Sequence, residues 1–163
     1  MKNIILPSIG LRTVKTAIVV FLCLTLLSNE PFFACIAGVI CLQDTVANSV
    51  KMGMNRGTGT LVGAIIGLVF MNLCKLINTL PLNITITNLI DHFIIALGII
   101  LVIYSCNLLK KPGAISVACI AFLGVTTTFA MNEPYFYAIH RTFETLCGIF
   151  IAILVNKFIN PPT

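Results

Sequence analysis

The sequence predicts an all-α polytopic membrane protein with six transmembrane helices, built as two inverted three-helix repeats. Three observations lead there. The chain has 163 residues, of which 58% are hydrophobic and only 9% charged, and its mean hydropathy is +1.06; so small a domain cannot hide that much apolar side chain internally. Its apolar runs are cut by turn signals into about six segments near the length needed to cross a bilayer. It also repeats itself: ACIA stands at 34–37 and 118–121, and RGTGTLVG at 56–63 aligns with RTFETLCG at 141–148, at offsets of 84 and 85 residues. Each unit holds three spans, an odd number, so the second copy inserts upside down relative to the first, as in many transporters.

The helices are expected near 11–28, 31–50, 57–76, 89–109, 113–131 and 140–158, forming one membrane domain over 1–163. The breaks carry stop signals: Asn29-Glu30-Pro31, the segment around Pro81 and Asn83, Lys110-Lys111-Pro112-Gly113, and Asn132-Glu133-Pro134. Helix 1 follows Lys2, Arg12 and Lys15 and imitates a secretory signal, but no small-x-small cleavage site closes it and similar spans follow, so it is read as retained. Helix 2 is the unusual span. Its continuous apolar run, Phe32–Leu42, is too short to cross, so it is expected to continue through Gln43–Val50 with a polar side. The seven cysteines lie in or beside apolar runs without a CxxC pair, which reads as packing rather than disulfide or metal chemistry.

Basic residues fix the orientation, because positively charged loops stay in the cytoplasm. With the N-terminus inside, Lys2, Arg12, Lys15, Lys51, Arg56, Lys110, Lys111 and Lys157 are cytoplasmic, and only Lys75 and Arg141 lie outside. Both termini are therefore expected in the cytoplasm.

Three features stand out as candidates. Gly59, Gly63 and Gly67 stack on one face of helix 3, a surface that lets another helix approach closely. Asp44, Asn48, Lys51 and Asn55, with Gln43 and Arg56 near the ends, share a helical face. Polar groups at membrane depth face protein or water, so this stripe reads as the wall of a cavity whose Arg56 and Lys51 attract an organic anion, or else as a solvated loop. At the start of helix 6, Arg141 and Glu144 can neutralise each other, His140 offers a group for proton coupling, and Arg12 gives a similar Arg-x-x-x-Thr as an interfacial anchor. No HExxH, GxSxG or glycine-rich phosphate loop is present, so neither an enzyme, a metal site nor a cofactor is expected. The net charge of +5 follows from membrane orientation, which sets nucleic acid aside as a partner.

RTVKT at 12–16, PFFACIAGVICLQDTV at 31–46, SVKMGMNRGTGTLVGAIIG at 49–67 and HRTFETLCGIFIAILVN at 140–156 together resemble the bacterial aromatic acid exporter family. That family belongs to a larger fusaric-acid-resistance-like group, to which plant malate channels look distantly similar. The resemblance covers nearly the whole chain and is most specific from helix 2 to helix 3. Its matching positions are Arg12, Lys15, Gln43, Ser49, Arg56, Gly59, Thr60, Gly63, Arg141, Glu144, Thr145 and Gly148. It implies a six-helix unit of the bacterial inner membrane that exports aromatic or other organic carboxylates. Many relatives carry a further soluble domain or a second six-helix half, so this chain is expected to pair with itself as a homo-oligomer in the lipid bilayer. A passive organic-anion channel and a non-transporting membrane scaffold are the alternatives.

Overall fold

The computed structural model describes residues 10–27, 31–79, 84–127 and 134–159. Among them are six α-helices and one 3-10 turn: α1 (Leu11–Leu26), α2 (Phe32–Cys41), α3 (Val46–Ile77), α4 (Ile84–Leu108), the turn Pro112–Ala114, α5 (Ile115–Thr126) and α6 (Pro134–Phe158). Three of these, α3, α4 and α6 from Tyr135 onward, are long and apolar enough to cross a membrane. The helices α2 and α5 are apolar but have only 10 and 12 residues, which at 1.5 Å per residue reach about 15 and 18 Å. A hydrocarbon core is about 30 Å thick.

The second expected helix does not run from 31 to 50. It stops at Cys41, and Val46 already belongs to α3, which is 32 residues long. Local hydrogen bonds explain the break. The Gln43 backbone N–H donates to Ser49 Oγ at 3.0 Å, and the Thr45 hydroxyl accepts from the Asn48 N–H at 3.2 Å, capping the new helix. Short polar side chains here compete with the helical ladder and win. The polar half assigned to helix 2 is therefore the first turns of α3. Helices α4 and α6 begin earlier than expected, at Ile84 and Pro134. The fifth helix starts after a 3-10 turn and ends at Thr126; the expected segment 128–131, like Lys2, Asn29-Glu30, Pro81 and Asn132-Glu133, lies outside the described residues.

Each short helix is held by a long one through glycine. A Cβ on Gly63 of α3 would collide with the Ala118 carbonyl of α5, and a Cβ on Gly148 of α6 would collide with the Ala34 carbonyl of α2. The flanking positions continue the first seam, with Gly59 against Ala114 and Gly67 against Val125. Small residues allow the backbones to approach to a separation that any side chain would prevent. Helices α3 and α6 pack on each other in opposite directions, as Gly53 meets Ile149 and Gly57 meets Leu146.

Three apolar clusters are present among the described residues, and two of them hold the short helices. One unites Val19 and Cys23 of α1, Ala34, Ala37 and Cys41 of α2, and Ala152 and Val155 of α6. The other unites Val102 and Cys106 of α4 with Ala118 and Phe122 of α5, backed by Val62 and Ile66 of α3. Buried positions recur at offsets of 83 to 85 residues: Val19 and Cys23 with Val102 and Cys106, Ala34, Ala37 and Cys41 with Ala118, Ala121 and Val125, and Thr60, Gly63 and Ala64 with Thr145, Gly148 and Ile149.

A buried polar knot ties α1, α6 and the α2–α3 link. Lys15 Nζ donates to Asn156 Oδ1 at 3.0 Å, while Asn156 Nδ2 donates to the Gln43 carbonyl at 2.8 Å and to Ser49 Oγ at 2.9 Å. Lys15, Ser49 and Asn156 are all buried. The single amide of Asn156 thus serves both an ammonium donor and two acceptors.

Two outcomes follow for stability. Asn156→Leu is expected to cost about 2–3 kcal/mol, since it strands a buried ammonium and the groups around Ser49; Lys15→Met in the same chain should return part of that loss, measured by reversible unfolding in mixed micelles. Gly63→Val and Gly148→Val should each destabilise by about 1–3 kcal/mol through the backbone collision. Gly57→Ala serves as the control in that assay, because a Cβ there meets Leu146 at an ordinary 3.6 Å.

Candidate functional site

Two arginines occupy the interior where the long and short helices meet. Arg56, ten residues into α3, is half-buried and lies within electrostatic reach of Cys41, at the end of α2, and of Arg141. Among the described residues it makes neither a hydrogen bond nor an ion pair, and its Nε is buried without a partner. Arg141 of α6 stands 85 residues later and is buried. Its Nη1 donates to the Tyr137 hydroxyl at 2.7 Å, and its Cζ lies 4.2 Å from the centroid of the Phe33 ring. A Cβ on Gly124 of α5 would meet Tyr137 Oη at 2.6 Å and Arg141 Nη1 at 2.8 Å. So Arg56 lies within electrostatic reach of the last residue of α2, and Arg141 sits beside the last turn of α5. Given the contacts between α3 and α6, the two are about 9 Å apart along the bundle.

What the arrangement can do chemically is set by the two guanidiniums. The Phe33 and Tyr137 rings orient the Arg141 guanidinium by cation–π contact and hydrogen bond, yet its Nε keeps an unused donor. A guanidinium presents donors in a planar fork that fits a carboxylate, and two such groups in a low-dielectric interior create a positive potential that a small anion offsets. Beside them Glu144, buried, has the His140 Nδ1 at 3.0 Å from its Oε1. His140 also stacks on Phe136, with ring centroids 5.5 Å apart.

The remaining candidates from the sequence lie elsewhere. Asp44, Asn48 and Lys51 are exposed, so the stripe does not gather into a buried wall. Asp44 is in the break between α2 and α3, where Arg12 Nη1 approaches its Oδ1 at 3.8 Å with both side chains largely in solvent; such a pair contributes little. Gln43 donates from its side chain to the Ile40 carbonyl and takes part in the knot through its backbone. Asn55 lies against Gly113. Gly59, Gly63 and Gly67 form the α5 contact described above.

Sequence reasoning missed Asn156, Phe33 and Tyr137. Asn156 carried a signal, an amide closing the apolar run Gly148–Val155; the two aromatics carried none beyond their type. It also passed over a cavity of about 400 Å³ where α3, α4 and α5 end together, bordered by Lys75, Asn78, Asp91 and His92. No group of three or more metal-ligating side chains occurs among the described residues.

Comparison with known proteins points in one direction. The curated relatives include UPF0421 proteins of Oceanobacillus iheyensis, 27% identical over 157 residues, of Staphylococcus saprophyticus, 28% over 159, and of Bacillus cereus, 30% over 162. Each alignment takes in 94% of this chain but only 40–44% of the relative, so the chain spans about two fifths of their length. No solved structure matches it. The family described as aromatic acid exporter family member 1 matches residues 7–159, and the chain, with its long apolar helices, belongs to that family of membrane proteins.

Proposed function

We propose that the chain is the membrane unit of an exporter of organic carboxylates, with the anion path running along the α3–α6 seam past Arg56 and Arg141. The observation that carries this reading is the pair itself: two guanidiniums at matching repeat positions, inside an apolar bundle, each with an unpartnered Nε. Keeping such groups out of water is costly unless something binds them. An aromatic or aliphatic carboxylate supplies the missing acceptors, and family membership favours the aromatic kind.

In this reading all six helices lie in the bacterial inner membrane as two inverted triplets. The matched burial of the two halves supports the repeat, as does the crossed pairing in which Gly63 of the first half seats Ala118 of the second and Gly148 of the second seats Ala34 of the first. Discontinuous, half-length helices ending near the midplane are the usual site builders in such folds, and α2 and α5 fit that role. Both termini are cytoplasmic, on the strength of the basic residues. The knot of Lys15 and Asn156 then seals the cytoplasmic end. Homo-oligomerisation belongs to the same reading and is checked by cross-linking in native membranes.

Efflux of radiolabelled benzoate from proteoliposomes tests the path. Arg56→Gln and Arg141→Gln should each lower the initial rate about tenfold or more, in line with the loss of a charge-assisted hydrogen bond, while Lys51→Gln at the exposed surface leaves it within about twofold. Wild-type rates in both arginine variants would remove the seam from the mechanism.

A further inference from the structure

The corner where α4 passes into α5 carries two consecutive lysines, Lys110 and Lys111, that the arginine seam does not use. The α4 helix has 25 residues, about 37 Å at 1.5 Å per residue, which exceeds the hydrocarbon thickness of about 30 Å. Its last turn and the corner therefore emerge among lipid headgroups. Neither lysine has an ion-pair partner among the described residues. The one described acid at this end of the bundle, Asp44, faces Arg12.

The backbone makes the first of the two lysines unusual. The Lys111 N–H donates to the Cys106 carbonyl at 3.0 Å and the Lys110 N–H to the Asn107 carbonyl at 2.9 Å, the paired bonds that close a helix when the residue after its cap turns left-handed. That residue is Lys110, with φ 53°, whereas no glycine among the described residues has a positive φ. Glycine is the usual occupant, because a Cβ is disfavoured there. Gly113 stands only three residues further on, packed against Asn55 of α3. A cation near a helix C-terminus is favoured by the helix dipole, but other positions of the last turn offer that without backbone strain. A strained residue kept at one place points to a task at that place.

The surface leading to the corner is apolar. Leu97, Leu101, Tyr104 and Leu108 follow one another along α4 at steps of four, three and four, and all are exposed. Apolar and cationic surfaces thus adjoin, with a tyrosine near their boundary, where such rings settle at headgroup level. We propose that the α4–α5 corner binds one anionic phospholipid, its phosphate between Lys110 and Lys111 and its acyl chains on Leu101, Tyr104 and Leu108. A free phosphate uses the lysines alone, and a zwitterionic lipid brings a positive group against them. The lipid also braces α5, since the 3-10 turn after Lys111 delivers the Ala114 carbonyl to Gly59. The site is independent of what the arginine seam carries.

The experiment counts lipids bound to the full chain in detergent by native mass spectrometry, titrating phosphatidylglycerol or phosphatidylcholine of the same acyl chains. The first phosphatidylglycerol should bind about tenfold more tightly than phosphatidylcholine, and Lys110→Gln combined with Lys111→Gln should bring the two within about twofold. Lys157→Gln, which removes a charge from the exposed last turn of α6, should leave the preference in place. A comparable loss in Lys157→Gln means diffuse attraction to the whole basic end and overturns the site, as does displacement of the lipid by glycerol 1-phosphate. Lys110→Gly has two expected effects of opposite sign. The melting temperature in phosphatidylcholine should rise, because glycine takes the left-handed position freely, while the preference for phosphatidylglycerol should fall about threefold or more. Full preference in that variant, or a lower melting temperature, overturns the assignment of Lys110.

Discussion

Everything in this bundle depends on two places where a helix backbone lies directly on another. At Gly63 and at Gly148 the neighbour is a main-chain carbonyl, of Ala118 and of Ala34. In lipid there is no hydrophobic effect to drive helices together, and association rests on close packing and internal polar contacts. These glycines supply the first. They also bring α2 and α5 near enough to the long helices for the arginines, each seven positions before its glycine, to lie near the ends of the short helices.

Close packing explains why polar groups are tolerated inside. Lys15, Asn156, Ser49, Thr60, Thr145, Arg141 and Glu144 are all buried, an unusual load for a chain of this size. Satisfied groups and unsatisfied groups are segregated. The Lys15–Asn156 knot is hydrogen-bonded across three elements and works as a rivet, whereas the Nε atoms of Arg56 and Arg141 have no partner.

Much of this was legible in the sequence because membrane helices announce themselves by composition and because glycine spacing reports contact. The four-residue ladder of Gly59, Gly63 and Gly67 marked a packing face on helix 3; the tetrapeptides at 34 and 118 read as a repeat and did not point to the seat of Ala34 on Gly148. The break after Cys41 was not legible from apolarity, since it is made by Ser49 and Thr45 bonding to the backbone, and with it went the correct placement of the polar stripe. Helical periodicity put Asn48, Lys51 and Asn55 on one face; it could not say that Asn48 and Lys51 are exposed while Asn55 lies against Gly113. Arg56 was singled out by charge, Arg141 by the repeat, but the Phe33 ring beneath Arg141 lies over a hundred residues away, a pairing only the fold creates.

The brevity of α2 has a consequence for how the chain is made. Ten residues reach about half the hydrocarbon thickness, so this helix cannot be fixed across the bilayer by its own apolarity when it leaves the ribosome. Its seat, Gly148, is synthesised more than a hundred residues later. Nascent α2 must therefore wait, sheltered beside α1 and α3, until α6 arrives, and the first half of the protein acquires its final shape only when the last helix is in place.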